Sequence, residues 1–203
     1  MKTERTALKE WAAMIDALGS GDIIAIVRKG GIRDQNGGGF SIRHSRFVFY
    51  PTRFHQSTDQ LTPRVISRLE RSHEAMEPTG HVRIEYVARA AMCFTVTECA
   101  RLALVQNELG LSLSALHSRF FYRSPGVTLS ALRVERLRAP VIVPELRRYG
   151  GCVSWLELDD EIPCDIDDVL PVMPEPEFQE RLQALVPALC GDDVIQLASG
   201  DWG

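Results

Sequence analysis

Two apolar, strand-like runs joined by a glycine-rich connection constrain the fold of this chain most strongly. The runs occupy residues 23–27 and 40–50, and the connection contains the glycine pair 30–31 and the glycine run 37–39. Neither alternating face of the second run is fully apolar. It therefore predicts a strand whose faces change environment along its length, or one with a bulge near residues 44–46. The glycines predict a flexible turn that needs positive φ angles.

The rest of the first 160 residues alternates between helical and strand patterns without a regular βαβ period. Apolar spacing predicts helices over 6–18, 63–76 and from Thr97 to Gly110, while 111–123 fits neither pattern. Strands are predicted over 81–96, 127–137 and 152–158, with 141–143 extended, and Pro51 is expected to end the strand before it. This order predicts an α+β fold with a mixed, strongly curved sheet or partial barrel flanked by helices.

A change in charge divides the sequence near residue 160. Residues 157–203 carry 13 acidic side chains and one basic one, which leaves the preceding residues with 22 basic and 14 acidic side chains. A basic body of charge +8 is thus followed by a segment of charge −12. We predict a single α+β domain over residues 1–160 and an acidic, proline-rich tail over 161–203, with a short helix over 177–185.

The compartment is predicted from what the sequence lacks. No window approaches the roughly 18 consecutive apolar residues of a membrane span, and the N-terminal residues show no apolar signal core. The five cysteines are odd in number and form no CxxC pair, which favours reduced thiols over disulfides or a zinc knuckle. We therefore expect a cytoplasmic protein that does not enter a membrane and holds neither a metal nor another cofactor.

Cationic side chains concentrate around the two strand-like runs, and 20 of the 23 cations in the chain are arginines. Arginine favours bidentate contacts with phosphate or carboxylate, although a GC-rich genome would raise arginine everywhere. Aromatic side chains near these cations could stack on bases. The predicted nucleic-acid-binding residues are Arg28, Lys29, Arg43, Arg46, Arg53, His55, Tyr50 and Trp155.

Two histidines are the candidate catalytic residues, His44 and His55. A histidine near arginines is biased towards the neutral form, which suits a general base or a hydrogen-bond partner. A structural histidine bonded to the backbone is the alternative for each. No metal-ligand spacing, phosphate-binding loop, nucleophile elbow or nuclease motif accompanies them.

Several short motifs together resemble a known family. They include VRKGGI at 27–32, YPT at 50–52 with His55-Gln56, and later Gly151-Cys152 and Ser154-Trp155. Over about residues 7–160 the chain resembles the prokaryotic family called domain of unknown function 1802. The resemblance implies no activity. It does imply a restriction–modification setting, with an endonuclease or another defence-system protein as partner.

Three functions remain open from the sequence. The first is a nucleic-acid-binding or sensing domain for DNA or RNA, which uses the basic surface. The second is an enzyme acting on phosphates or nucleotides with His55 or His44 as acid/base, and the third is a protein-interaction subunit. We also expect the acidic tail either to cover the basic surface or to act only as a solvated segment.

Overall fold

A computed structural model describes residues 2–29, 42, 44–72 and 78–189. These residues form one mixed sheet of seven strands and five α-helices, with short 3₁₀ turns between them. In chain order the elements are β1 Thr3–Trp11, α1 Ala12–Gly19, β2 Ala25–Arg28, β3 Arg46–Thr52, α2 Pro63–Ser72, β4 His81–Val96, α3 Cys99–Leu104, α4 Leu113–Phe121, β5 Val127–Pro144, β6 Trp155–Pro163, β7 Val169–Pro171 and α5 Glu175–Leu189.

The sheet has the order β2-β5-β4-β3-β1-β6, and β7 pairs with β5 beside β2. Only the pairing of β1 with β3 is parallel. The long strands β4 and β5 pair along nearly their whole length with two register shifts, as expected for strongly coiled strands. The prediction of an α+β fold with a mixed, strongly curved sheet is confirmed, although the sheet is curled rather than closed within the described residues.

Two apolar cores lie on opposite faces of the sheet. Along β3, Phe47 and Phe49 belong to the main core, whereas Val48 and Tyr50 belong to a second core. The helices cover the main core, while the second core lies on the other face and includes residues of β4, β5 and β6. The alternation along β3 follows from the two-residue period of a strand.

The helix predicted over residues 6–18 is wrong in its first half. Residues 3–11 form β1, and α1 begins only at Ala12. Ala7 and Leu8 are both fully buried, on opposite faces of the sheet. Leu8 and Trp11 of the strand continue the helical spacing of the apolar residues in α1, so spacing alone could not separate the strand from the helix.

Most other predicted elements are found, with shifted ends. The strand over 81–96 is confirmed as predicted, and the helix from Pro63 is confirmed as far as Ser72. Pro51 does not end β3, which continues to Thr52. Because β4 pairs only with Arg46–Val48, β3 has a single backbone neighbour at Pro51, and a proline is tolerated there. Residues 40, 41 and 43 of that predicted strand and its glycine-rich connection lie outside the described residues.

The segment after residue 160 is integrated with the rest of the sheet. The expected boundary falls inside β6, and β7 pairs with Glu135–Leu137 of β5. Helix α5 buries four apolar side chains in the main core: Phe178, Leu182, Leu185 and Leu189. Arg181 on the same helix donates hydrogen bonds to the carbonyls of Gly21 and Asp22 and pairs with Glu108.

No helix in the described part of the chain is long and apolar enough to cross a membrane.

Candidate nucleic-acid interface

A cleft of about 980 Å³ opens between α1, the end of β3 and the start of β4. Helix α1 can pass close to β4 here because it ends at Gly19, where a Cβ atom would lie only 2.2 Å from the ring of Tyr86. Clefts of about 300–1,000 Å³ are typical of sites for small ligands. The charged and titratable side chains that line it are Arg53, Arg68, Arg83, Arg136, His81, Asp16, Glu85 and Glu145.

An exposed aromatic pair lies beside this cleft, in the turn that follows β3. Phe54 lines the cleft and is 64% exposed, and its ring centroid lies 3.9 Å from that of His55. His55 has a φ of 61°, in the left-handed region that non-glycine residues seldom adopt. Such a conformation costs of order 1–3 kcal/mol and is concentrated at functional sites. The turn therefore exposes the Phe54 ring to solvent, and the strained backbone at His55 is the energetic cost of this arrangement.

Four arginines and three carboxylates give the cleft a mixed but net basic lining. Arg83 and Arg136 share one oxygen of Glu85, at 3.3 and 3.2 Å from their Nη2 atoms. Arg136 is also the more exposed of the two, with 57% of its side chain accessible. An anion that enters the cleft would meet guanidinium groups already placed side by side, a geometry suited to phosphate oxygens.

Asp22 fixes two arginines of α2, one of which lines the cleft. Its Oδ2 accepts a hydrogen bond from Arg68 Nε at 2.6 Å, and its Oδ1 lies 3.2 Å from Arg64 Nη2. Burial raises the pKa of Asp22, but the hydrogen bonds from Arg68 and Ser20 and the attraction of both arginines outweigh burial and hold this pKa below its ordinary value. Arg68 is thereby held at the cleft wall.

We expect the stability due to Asp22 to depend on pH. Because its folded pKa lies below the unfolded value of about 3.8, this stability is present above that value and is lost as pH falls through the folded pKa. Asp22→Asn should lower the free energy of unfolding by about 1–3 kcal/mol at pH 7. Urea titrations between about pH 7 and pH 2.5 should show this difference shrinking at acid pH, since protonated Asp22 no longer differs from Asn in charge. A difference that is constant with pH would contradict the assignment.

The predicted binding residues Arg28 and Lys29 point into the protein. Arg28 Nη1 contacts Lys9 O at 3.0 Å and Glu10 Oε2 at 2.8 Å, and its Nη2 contacts Ser154 Oγ at 2.9 Å. Because β2 and β1 are separated by three strands in the sheet order, this side chain joins the two ends of the curl. Lys29 Nζ donates to the carbonyl of residue 120 in the last turn of α4 and to those of residues 124 and 126 after it, and burial lowers its pKa.

A buried charge cluster forms around Glu10, which is only 5% exposed. Arg119 of α4 lies above the ring of Trp11 at 4.8 Å and donates to Val27 O at 2.9 Å. Burial lowers the pKa of Arg119, and the nearby Glu10 carboxylate opposes this effect. The cluster of Glu10, Arg28 and Arg119 thus holds β1, β2 and α4 together.

Arg46 and Tyr50 also lie within the body of the protein. Arg46 Nη2 lies 3.5 Å from Glu135 Oε2, a buried carboxylate that Arg89 contacts at 2.7 Å. Tyr50 is 3% exposed and packs edge-on against Tyr149, and burial with the nearby Glu145 carboxylate raises its pKa to about 12. Its ring is therefore closed to a base. Arg43 lies outside the described residues.

The two candidate catalytic histidines lie at opposite ends of β3. His44 precedes the strand and His55 follows it, and seven residues of extended chain span roughly 20 Å. His44 is exposed and packs edge-on against the half-buried Trp155 at 5.1 Å, while His55 stacks on Phe54. The structure thus places Arg53 in the cleft lining with His55 beside it in the same turn, and it brings His44 and Trp155 together elsewhere.

The sequence patterns did not single out most residues of the cleft. Phe54 could have been noticed because it lies between Arg53 and His55, but it follows Pro51 in a stretch without a helix or strand pattern. Arg83 and Arg136 lie on strands that pair with each other, more than 50 residues apart in the sequence. Only the register of β4 against β5 brings them to one carboxylate.

Comparison with known protein families shows to which family the chain belongs. Residues 7–184 match the family described as "Domain of unknown function (DUF1802)". The chain belongs to this family. The predicted resemblance is confirmed, and the DUF1802 match continues beyond residue 160 through β7 and into α5.

Two solved structures resemble this DUF1802 protein, and both are of the ASCH protein from Zymomonas mobilis. A mutant form aligns with a TM-score of 0.47 and 14% identity, over 91% of this chain and 99% of that chain. The second structure aligns with a TM-score of 0.43 and 14% identity, over 89% of this chain and 94% of that chain. No curated protein matches the sequence significantly.

Proposed function

We propose that this DUF1802 protein binds nucleic acid through the cleft beside α1, with a base on Phe54 and phosphates on the lining arginines. One observation carries the proposal. A cleft of nucleotide size, about 980 Å³, is lined by four arginines and has an exposed aromatic side chain at 64% exposure. Phosphate contacts supply affinity and a stacking surface accepts any base.

The turn at residues 53–55 supplies both kinds of contact, one to a phosphate and one to a base. Arg53 lines the cleft next to Phe54, and the left-handed backbone of His55 fixes the orientation of the turn. Phe54 needs no rearrangement to become a stacking surface, because it is exposed already. Of the predicted binding residues, Arg53 and His55 belong to this proposal.

A restriction–modification setting, with an endonuclease or defence-system partner, rests on the family resemblance alone and stays a prediction. A cytoplasmic location and a histidine-dependent enzyme, which were predicted from the residues themselves, also stay predictions.

Replacing Phe54 by alanine is expected to weaken binding of single-stranded oligonucleotides about 5- to 100-fold, the range of one lost base–aromatic stack. Fluorescence anisotropy at fixed low salt would measure the affinity. Ile166→Ala is the matched control, because Ile166 is an exposed apolar residue in a different part of the protein. Folding of both variants should be unaffected, and thermal melting checks this.

Arg136→Gln should also weaken binding, whereas Arg138→Gln, at an exposed position further along β5, should not. An oligonucleotide that binds the wild type and the Phe54 and Arg136 variants equally would place the interface elsewhere.

A further inference from the structure

A second exposed aromatic turn lies at the end of α4. Leu113, His117 and Phe121 recur every four residues and so share one face of the helix, and all three are exposed. The α4-end patch, as we call it, consists of His117, Phe121, Tyr122 and Arg123. Phe121 and Tyr122 are 50% and 53% exposed, and the His117 and Phe121 ring centroids are 4.6 Å apart.

Arg123 repeats the geometry of His55. Among the described residues, these two are the non-glycine residues with positive φ, at 66° and 61°. Each directly follows an exposed aromatic residue and packs on it: the Arg123 guanidinium lies 5.1 Å from the Tyr122 ring, as His55 packs on Phe54. Two strained turns that present an aromatic ring beside a basic group indicate one kind of ligand.

The charges around the α4-end patch favour an anionic partner. Residues 109–127 contain no acidic side chain, and the exposed Arg123 gives the patch itself a positive charge. Lys29 adds a further positive charge where its Nζ contacts Phe120 O, one residue before Phe121. Exposed aromatic rings in such a field fit the bases and phosphates of a single strand, whose rings are accessible for stacking.

Contacts through Trp11 and Arg119 link the two turns. Thr52, two residues before Phe54, pairs with Trp11 at the end of the parallel strand β1. The Arg119 guanidinium lies over Trp11 at 4.8 Å, and Arg119 is three residues before Tyr122. A path through Trp11 and Arg119 therefore connects the cleft with the α4-end patch.

We infer that the α4-end patch is a second stacking site for the same ligand, and that the ligand is a single-stranded nucleic acid long enough to reach both turns. This inference rests on the proposed function, because it takes the Phe54 turn as the first contact. Small single-strand-binding folds cover about 4–16 nucleotides, a length that suits two separated turns.

The experiment compares Tyr122→Ala with Phe54→Ala on three probes. The probes are a 5′-phosphorylated dinucleotide, a single strand of about 12 nucleotides, which is within the usual site size, and a duplex of the same sequence. Tyr122→Ala should weaken binding of the long strand about 5- to 100-fold and leave the affinities for the dinucleotide and the duplex unchanged. Phe54→Ala should weaken binding of both single-stranded probes. Leu170→Ala, an exposed apolar residue on β7, is the control.

The outcomes separate the two proposals. If Phe54→Ala weakens both single-stranded probes but Tyr122→Ala binds the long strand like the wild type, the second site is overturned and the proposed function stands. If neither variant changes any affinity, both proposals fail. If Tyr122→Ala alters the sedimentation coefficient of the protein rather than its affinity for the long strand, the α4-end patch is a contact between copies of the chain and the inference is overturned.

Discussion

Deleting residues 174–203 is expected to unfold the protein. The deletion removes α5, whose Phe178, Leu182, Leu185 and Leu189 are all buried in the main core. Burial of each such side chain contributes about 1.5–3 kcal/mol, so the four together contribute roughly 6–12 kcal/mol. The whole free energy of unfolding of a domain is usually about 5–15 kcal/mol. The free energy lost with α5 is therefore comparable to the whole free energy of unfolding.

Circular dichroism during thermal melting would test this expectation, with point variants that separate the two faces of α5. Leu185→Ala should cost about 2–5 kcal/mol as a buried leucine, whereas Glu180→Ala, on the exposed face, should cost less than about 0.5 kcal/mol. A truncated protein that melts cooperatively near the wild-type temperature would show that α5 is dispensable.

The packing of α5 also changes how the predicted masking of the basic surface must be tested. A deletion would confuse loss of charge with loss of the fold. One acidic side chain of the tail already pairs with the body, since Glu175 contacts Arg133. Masking stays a prediction, and replacing Glu177 and Glu180 by glutamine would test it while leaving the buried face of α5 intact.

Glu10→Ala is expected to lower the free energy of unfolding by about 3–5 kcal/mol, the usual cost of breaking a buried ion pair from one side. The substitution would leave Arg28 without its carboxylate, and this arginine is only 16% exposed. It would also remove the negative charge that stabilises the buried, charged side chain of Arg119. Because Arg28 joins the two ends of the curled sheet, the loss should affect the whole fold rather than one strand.

Urea titration of three variants would measure this effect. Glu10→Gln keeps the shape and one acceptor oxygen, so it should cost less than Glu10→Ala. Ser154→Ala removes one neutral acceptor of Arg28 and should cost about 1–2 kcal/mol. A Glu10→Ala protein within about 1 kcal/mol of the wild type would contradict the role of the cluster.

The sequence predicted an element correctly where the periodicity within that element was enough to identify it as strand or helix. The strand over 81–96 alternates clearly, and Thr62-Pro63 marks the start of α2. It failed at β1, because Leu8, Trp11, Ile15 and Leu18 fit a helix although the chain changes from strand to helix at Ala12. The strand conformation of β1 depends on pairing with β3 and β6, which no local pattern contains.

The candidate site was harder to predict because a sequence shows charge but not its partners. Arg28 and Lys29 looked like a basic strand end, yet the curl of the sheet directs them to Glu10 and to backbone carbonyls in and after the last turn of α4. Tyr50 looked like a stacking residue but lies in the second core. Of the predicted residues in the exposed turn after β3, Arg53 lines the cleft, and His55 packs on Phe54 beside it.

The salt dependence of single-strand binding tests the central claim most directly. With three to five phosphate contacts from the cleft and Arg123, a plot of log K against log salt should have a slope of about −2 to −3.5. For the wild-type protein and a single strand of about 12 nucleotides, affinity should fall roughly 10- to 100-fold between about 50 and 200 mM salt. If the protein binds neither DNA nor RNA at low salt, or binds them with an affinity that salt does not change, it does not bind nucleic acid through these arginines.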